Sequence, residues 1–107
     1  MESFGEYIRN LRKEKGLNQT QLAAMLGLDM SAISKIENNK ISFKEKLLPK
    51  LAEIFEIALE TVKEKYFSDK FAYEVYKNRV PETVFKVAAK KVQYYKATYA
   101  KQTNLDF

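Results

Sequence analysis

Residues 16–40, GLNQTQLAAMLGLDMSAISKIENNK, decide the fold of this 107-residue chain. The stretch contains two short amphipathic segments, and between them lies Gly27, which permits a tight turn. Asn18, followed three residues later by a glutamine, is the capping signature of a helix, and Asp29 can cap the second segment. The pattern predicts two helices joined by a short turn, with the second helix over about residues 30–37.

The apolar residues of this stretch indicate how the two predicted helices pack. Leu28 and Ile33 are expected to fill the junction, and Ala23 is small enough to let the helices cross closely. The predicted apolar face of the first helix consists of Leu22, Ala23, Met25 and Leu26. This packing leaves the polar side of the second helix exposed, and a helix presented in that way fits the major groove of B-DNA.

The rest of the chain also has helical periodicity, with only three Gly, two Pro and no strand-like alternation. Ser3 and the glutamate three residues later predict the start of a first helix, and Gly16 predicts its left-handed end. A fourth helix is expected over about residues 46–56 and a fifth over about residues 59–66.

Beyond Phe67 the apolar residues change their helical phase. Ser68 and Asp69 are therefore expected to interrupt the chain and to cap a short helix over about residues 70–78. Pro81 is expected to begin a last helix that reaches about residue 100, and residues 102–107 are expected to fray.

Residues 4–66 resemble the phage-repressor-like, or Xre-type, helix-turn-helix transcriptional regulators. The shared motifs are G-L-N-Q-x-x-L-A, the glycine turn, S-x-I-S-x-I-E-N, and the later L-P-K-L-A-E of Leu48–Glu53. The resemblance implies an all-α, lambda-repressor-like five-helix DNA-binding domain, followed here by a C-terminal two-helix extension. We expect the domain to cover residues 1–67 and the extension, which would dimerise, to cover residues 68–107.

The resemblance also implies which side chains face the bases. These occupy the exposed side of the predicted recognition helix and are Met30, Ser31, Ser34 and Lys35. Lys35 either donates to guanine O6 and N7, which is worth about 1–3 kcal/mol of discrimination, or is simply solvated. Met30 departs from the polar residue usual in the family, so it either contacts a thymine methyl group or packs against the protein.

Other positions match residues that bind the DNA backbone or support the fold. Gln19 corresponds to a phosphate ligand at a helix N-terminus, where the helix dipole favours an anion. Arg12 and Glu37 correspond to a structural pair that joins the first helix to the third. The segment matching the family's phosphate grip after the third helix is Asn38, Asn39 and Lys40, with Asn39 where the family commonly has Gly. Arg9 and Lys44 either add phosphate contacts or only keep the protein soluble.

Composition limits the classes of function. The chain has no Cys and no His, so it lacks thiolate metal ligands and the commonest general base. Acid pairs such as Glu60 and Glu64 lie four residues apart and indicate helix support rather than catalysis, so we expect no enzyme, cofactor or metal. The chain shows neither a secretory signal nor a membrane-spanning apolar stretch, and the expected compartment is the cytoplasm.

Charge is consistent with a polyanionic partner, since the net charge is +5 and residues 9–46 contain eight Lys or Arg against four Asp or Glu. A reading helix of this size contacts few base pairs, so we expect a homodimer on a pseudo-palindromic site in double-stranded DNA. The candidate dimer seam repeats with 3-4-3-4 spacing and consists of Phe85, Ala88, Val92, Tyr95 and Tyr99. The same stripe could instead pack on the protein's own helices.

The expected function is therefore a DNA-binding transcriptional regulator, either a repressor or a controller of restriction–modification genes. The alternative is an antitoxin-type protein-interaction module that also binds its own operator.

Overall fold

The computed structural model describes residues 1–100, which are helical with no strand. The helices are α1 Phe4–Glu14, α2 Gln19–Leu26, α3 Met30–Glu37, α4 Leu48–Phe55, α5 Leu59–Lys77 and α6 Val84–Tyr99. A 3-10 turn, Glu45–Leu47, precedes α4. The expected all-α fold class is confirmed. Residues 101–107, which include the end that the sequence predicts to fray, lie outside the described part of the chain.

Local capping interactions begin and end the first three helices. The Ser3 hydroxyl accepts a hydrogen bond from the backbone N–H three residues later at 3.1 Å, and Asn18 does the same at 2.8 Å; both caps are reciprocated as capping boxes. Asp29 caps α3 through the Ala32 N–H at 2.8 Å. Gly16 and Gly27 have φ values of +74° and +70°, the left-handed conformation that ends α1 and α2. These predictions are confirmed.

One apolar core holds the first five helices together. Its fully buried side chains include Ile8, Leu22, Ile33, Leu51 and Val62, one from each of α1 to α5. Each comes from the apolar stripe of an amphipathic helix, so burying it removes that stripe from water. The core therefore fixes α3 against α1 and α2.

Gly5 permits the close approach of α1 to the end of α3. A Cβ atom at this position would overlap the carbonyl oxygen of Ile36 and lie 2.7 Å from Oδ1 of Asn39. Because one of these atoms belongs to the backbone, it cannot move aside as a flexible side chain can. Gly5 thus sets the distance between α1 and the C-terminal end of α3.

Two expected helix boundaries are wrong. α5 runs without interruption from Leu59 to Lys77, so Ser68 and its neighbour cap no new helix. Inside the helix the Ser68 hydroxyl donates to the carbonyl oxygen of Lys65 at 3.4 Å, a bond that lets serine remain within a helix. The last helix begins at Val84, because residues 81–83 form a turn in which the Pro81 carbonyl accepts from the Val84 N–H at 3.0 Å.

The predicted apolar faces also need correction. Met25 is 40% exposed, because Leu22, Ala23 and Leu26 form the buried side of α2 and Met25 lies at the edge of that side. Two aromatic residues that the sequence analysis did not place in the core, Tyr7 and Phe43, are buried there. Phe43 lies in the segment between α3 and α4, where periodicity carries no signal.

The chain divides into two compact units, Met1–Phe71 and Ala72–Phe107, and α5 crosses the boundary between them. The first unit contains the core. Of the described residues in the second unit, Val75 is the buried one, and α6 has no buried side chain. Through residue 100, no helix combines the length and apolar character needed to cross a bilayer.

Candidate nucleic-acid interface

α3 separates its buried side chains from the four predicted base contacts. Ile33 and Ile36 face the core. On the other side, Met30 is 52% exposed, so part of its side chain is accessible to a ligand. The other predicted base contacts are Ser31 and Lys35, which are exposed, and Ser34, which is half-buried. A row of polar and flexible side chains thus faces solvent along the helix.

Ser31 is oriented by the cap at the start of α3. Its hydroxyl donates to Oδ1 of Asp29 at 2.7 Å, and the same oxygen accepts from the Ala32 N–H. Both bonds lower the pKa of Asp29, and the bond from the Ser31 side chain has the larger effect. Since the Ser31 proton is engaged by Asp29, its oxygen is left to accept a hydrogen bond from a ligand.

A buried carboxylate anchors the end of α3 to α1. Glu37 is 1% exposed, and it accepts two hydrogen bonds from Arg12, from Nε at 2.7 Å and from Nη2 at 3.0 Å. Arg12 is also buried and uses Nη1 to donate to the carbonyl oxygen of Leu17 at 2.9 Å. This bidentate pair therefore connects α1, the α1–α2 turn and α3.

The ionisation of Glu37 follows from its partners. Burial by itself raises the pKa of a carboxyl group, but hydrogen bonds from Arg12 and Gln19 and the charges of Arg12 and Arg9 outweigh it. The net effect lowers the pKa of Glu37. The bond to Glu37 in turn raises the pKa of Arg12. Both groups are therefore charged at neutral pH, and no buried side-chain polar atom among residues 1–100 lacks a partner.

Three predicted phosphate ligands belong to the same network. Gln19 donates from Nε2 to Oε1 of Glu37 at 3.1 Å. Nε of Arg9 lies 3.5 Å from that oxygen, and its Nη2 donates to Oδ1 of Asn38 at 2.8 Å. The family resemblance and the charge pattern predict these residues one by one, whereas their common anchor was not predicted. Glu37 thus holds Gln19 and Arg9 at the surface beside α3.

The segment after α3 carries the remaining predicted phosphate ligands. Asn39 has a φ of +60°, so it adopts the left-handed conformation expected where the family has Gly, and its Oδ1 accepts from the Ser3 hydroxyl at 2.9 Å. Lys40 and Lys44 are exposed. In residues 1–100 no carboxylate oxygen lies within 4.0 Å of Lys35, Lys40 or Lys44. Within this part of the chain, Lys35, Lys40 and Lys44 therefore expose positive charges that no ion pair neutralises.

The predicted dimer seam lies on α6. Phe85, Val92 and Tyr95 are exposed, with Val92 at 47%, while Ala88 and Tyr99 are half-buried. The rings of Tyr95 and Tyr99 are 5.9 Å apart, as expected for residues one turn apart. In the described part of the chain, no cluster of three or more acidic side chains is arranged to hold a metal ion.

Comparison with known proteins places this surface in context. The family model described as helix-turn-helix matches residues 8–62. The chain is 40% identical over 96 residues to the HTH-type transcriptional repressor RghR of Bacillus subtilis (strain 168). The matched stretch covers 88% of this chain and 69% of the relative.

Two further relatives match a shorter stretch of the chain. An uncharacterised HTH-type transcriptional regulator of B. subtilis, RghRB, is 36% identical over 63 residues, covering 58% of this chain and 45% of the relative. The ImmF control region 10 kDa protein of Bacillus phage phi105 is 34% identical over 62 residues, covering 58% of this chain and 69% of the relative. No solved structure gives a significant match.

Proposed function

Since this chain belongs to the Xre-type helix-turn-helix family of DNA-binding transcriptional regulators, we propose that it is a sequence-specific repressor that acts as a homodimer on double-stranded DNA. One observation carries the proposal: α3 is fixed by buried residues at Ile33, Ile36 and Glu37, while its opposite side presents exposed Met30, Ser31 and Lys35. A rigid helix with accessible donors and acceptors is what reading base edges in the major groove requires.

In this proposal α3 supplies the sequence preference. Lys35 donates to guanine O6 and N7, and Met30 contacts a thymine methyl group. The hydroxyl groups of Ser31 and Ser34 can each donate a hydrogen bond to a base or accept one from it. One good bidentate contact is worth about 1–3 kcal/mol of discrimination. This set contains only one strong base-specific donor, so a single α3 supplies discrimination at the low end of what regulators need.

The phosphate contacts would position α3 rather than specify sequence. Gln19 and Arg9 are held at the surface by the buried carboxylate of Glu37, so little side-chain entropy remains to be lost when they bind DNA. The other proposed phosphate ligands follow α3 and are Asn38, Asn39, Lys40 and Lys44. Because these contacts do not depend on base identity, they would support binding to any duplex and make it sensitive to salt.

Dimerisation follows from the energy that specific binding needs. The free energy of binding to a specific site is typically about 4–10 kcal/mol more favourable than that of binding to non-specific DNA. Two copies of α3, one helical turn apart, double the discrimination of one copy and read a pseudo-palindrome. We therefore propose that the N-terminal domain, residues 1–67, binds DNA and that residues 68–107 form the dimerising extension.

α6 is the proposed contact between the two copies. Phe85, Val92 and Tyr95 are exposed on α6, and burying these apolar side chains against a second copy would stabilise the pair. With Phe85 at heptad position a, Lys91 and Lys96 flank the stripe.

We favour a repressor over a restriction–modification controller because two of the similar proteins are a transcriptional repressor and a phage control-region protein. The test is selection of bound duplexes from a random pool at near-physiological salt, followed by mobility shift. We expect one preferred sequence with approximate two-fold symmetry. Binding to all duplexes alike would contradict the proposal.

A pair of variants separates the two kinds of contact. Lys35→Ala should reduce the preference for the selected site about 10-fold or more while leaving random-duplex affinity nearly unchanged. Gln19→Ala should weaken binding to both duplexes alike, because it removes a phosphate contact. If Lys35→Ala leaves the preference intact, Lys35 is not a base-reading residue.

A further inference from the structure

We propose that Tyr66, a residue of α5, positions Lys44 for its contact with DNA. The Tyr66 hydroxyl holds the peptide that precedes Lys44 in the orientation that presents this residue to a phosphate group. The inference rests on the proposed DNA-binding function and assigns a role to a residue that lies outside the helix-turn-helix stretch.

The segment between α3 and α4 is anchored to the core at one side chain. Phe43 is 3% exposed, although the residues on both sides of it are exposed. Its ring lies 5.7 Å from that of Phe4, and the ring of Tyr66 meets Phe4 edge-on at 5.2 Å with an interplanar angle of 84°. These three rings form a buried aromatic cluster beneath the segment.

The hydrogen bond of Tyr66 fixes one peptide plane above that cluster. Its Oη donates to the carbonyl oxygen of Phe43 at 3.1 Å, and both groups are buried. The peptide bond is trans and planar, so the N–H of Lys44 points in the direction opposite to this carbonyl, away from the core. Up to residue 100, no group accepts a hydrogen bond from that N–H.

Lys44 therefore presents two donors on the outer side of the segment, its backbone N–H and its side-chain ammonium group. The Lys44 carbonyl accepts from the Leu47 N–H at 2.9 Å, which starts the 3-10 turn and holds the other side of the residue. A backbone N–H beside a lysine side chain is a suitable ligand pair for a phosphate oxygen. Without the Tyr66 hydroxyl, the buried Phe43 carbonyl would lose its partner, and reorientation of this peptide would let it reach water.

Tyr66→Phe tests the proposal, because it removes the hydroxyl and keeps the ring. We expect affinity for the selected site and for random duplex to fall about 5- to 10-fold alike. We also expect the slope of log K against log salt to become shallower by about one, since one phosphate contact is lost. Loss of stability alone would lower affinity through the folded fraction without changing this slope.

Tyr7→Phe is the matched control. Tyr7 is buried in the same region, with its ring 5.8 Å from that of Phe4, but its hydroxyl donates to no group in residues 1–100. The Tyr7→Phe variant should bind DNA with an affinity within about two-fold of the wild type and with the same salt slope. An unchanged slope for Tyr66→Phe, or equal effects of the two substitutions, would overturn the proposal.

Failure of the proposed function and misfolding of the variant can both be distinguished from failure of the positioning role. If the wild-type protein binds no duplex, the proposed function itself fails, whatever Tyr66 does. If Tyr66→Phe does not fold, the wild-type protein still provides a test, because titration with duplex should shift the amide resonance of Lys44 in an ¹⁵N-correlated spectrum. A Lys44 amide that does not respond to DNA contradicts the positioning role.

Discussion

Replacing Glu37 with glutamine should destabilise the protein severely although the side chain keeps its size. Glu37 accepts bonds from Arg12 at 2.7 and 3.0 Å and from Gln19 at 3.1 Å. Arg12 is itself 9% exposed, so in the variant its positive charge would remain buried without a counterion. The amide NH₂ of the new side chain would also face N–H donors, with which it cannot form hydrogen bonds.

The size of the effect follows from that geometry. Removing one partner of a buried ion pair costs about 3–5 kcal/mol, against a total stability of about 5–15 kcal/mol for a small protein. The remaining amide oxygen can still accept one bond from Arg12, which places the loss near the lower end, at about 3 kcal/mol. At roughly 4–8 °C per kcal/mol, Tm should fall by about 12–24 °C.

Urea unfolding followed by circular dichroism at pH 7 measures this loss directly. Glu53→Gln is the control, because the Lys50–Glu53 pair is 3.9 Å long and its side chains are 51% and 76% exposed. Its loss should be below about 1 kcal/mol. Replacing both members of the buried pair, Arg12→Met with Glu37→Leu, should recover much of the stability lost by Glu37→Gln. A loss below about 1 kcal/mol for Glu37→Gln would show that leaving Arg12 without its buried counterion costs little.

Three other predictions concern packing, acid and assembly. Gly5→Ala should cost about 1–3 kcal/mol in urea unfolding despite the better helix propensity of alanine, because the new methyl group meets the Ile36 carbonyl; a stabilised variant would contradict this close approach. Because the pKa of Glu37 is lowered in the folded state, the unfolded chain binds a proton at this group first when the pH falls. The free energy of unfolding should therefore be full at pH 7 and decline from about pH 5 downward, less steeply in Glu37→Gln. Equal pH profiles for the two proteins would contradict this role of Glu37. The double change Val92→Asp with Tyr95→Asp should yield monomers in sedimentation velocity, and a dimer that persists would place the seam elsewhere.

The local elements of this protein could be predicted from its residues alone. Asn18, Asp29 and Gly27 cap or end helices through bonds that span three to five residues, so their residue types suffice to predict the helix-turn-helix. The bounds of α3 follow from the same short-range signals. The family motif added the DNA-binding function, because it occupies these same positions.

Which distant residues meet depends on how the helices pack against one another. Gln19 reaches Glu37 across 18 positions and Tyr66 reaches Phe43 across 23, and neither contact could be derived from periodicity. The Arg12–Glu37 pair, whose members are 25 positions apart, was predicted only from the family resemblance. The uninterrupted α5 is a similar case, since Ser68 is as compatible with a cap as with a helix interior. Local patterns specify which face of a helix is apolar, whereas packing in the core specifies which groups that face brings together.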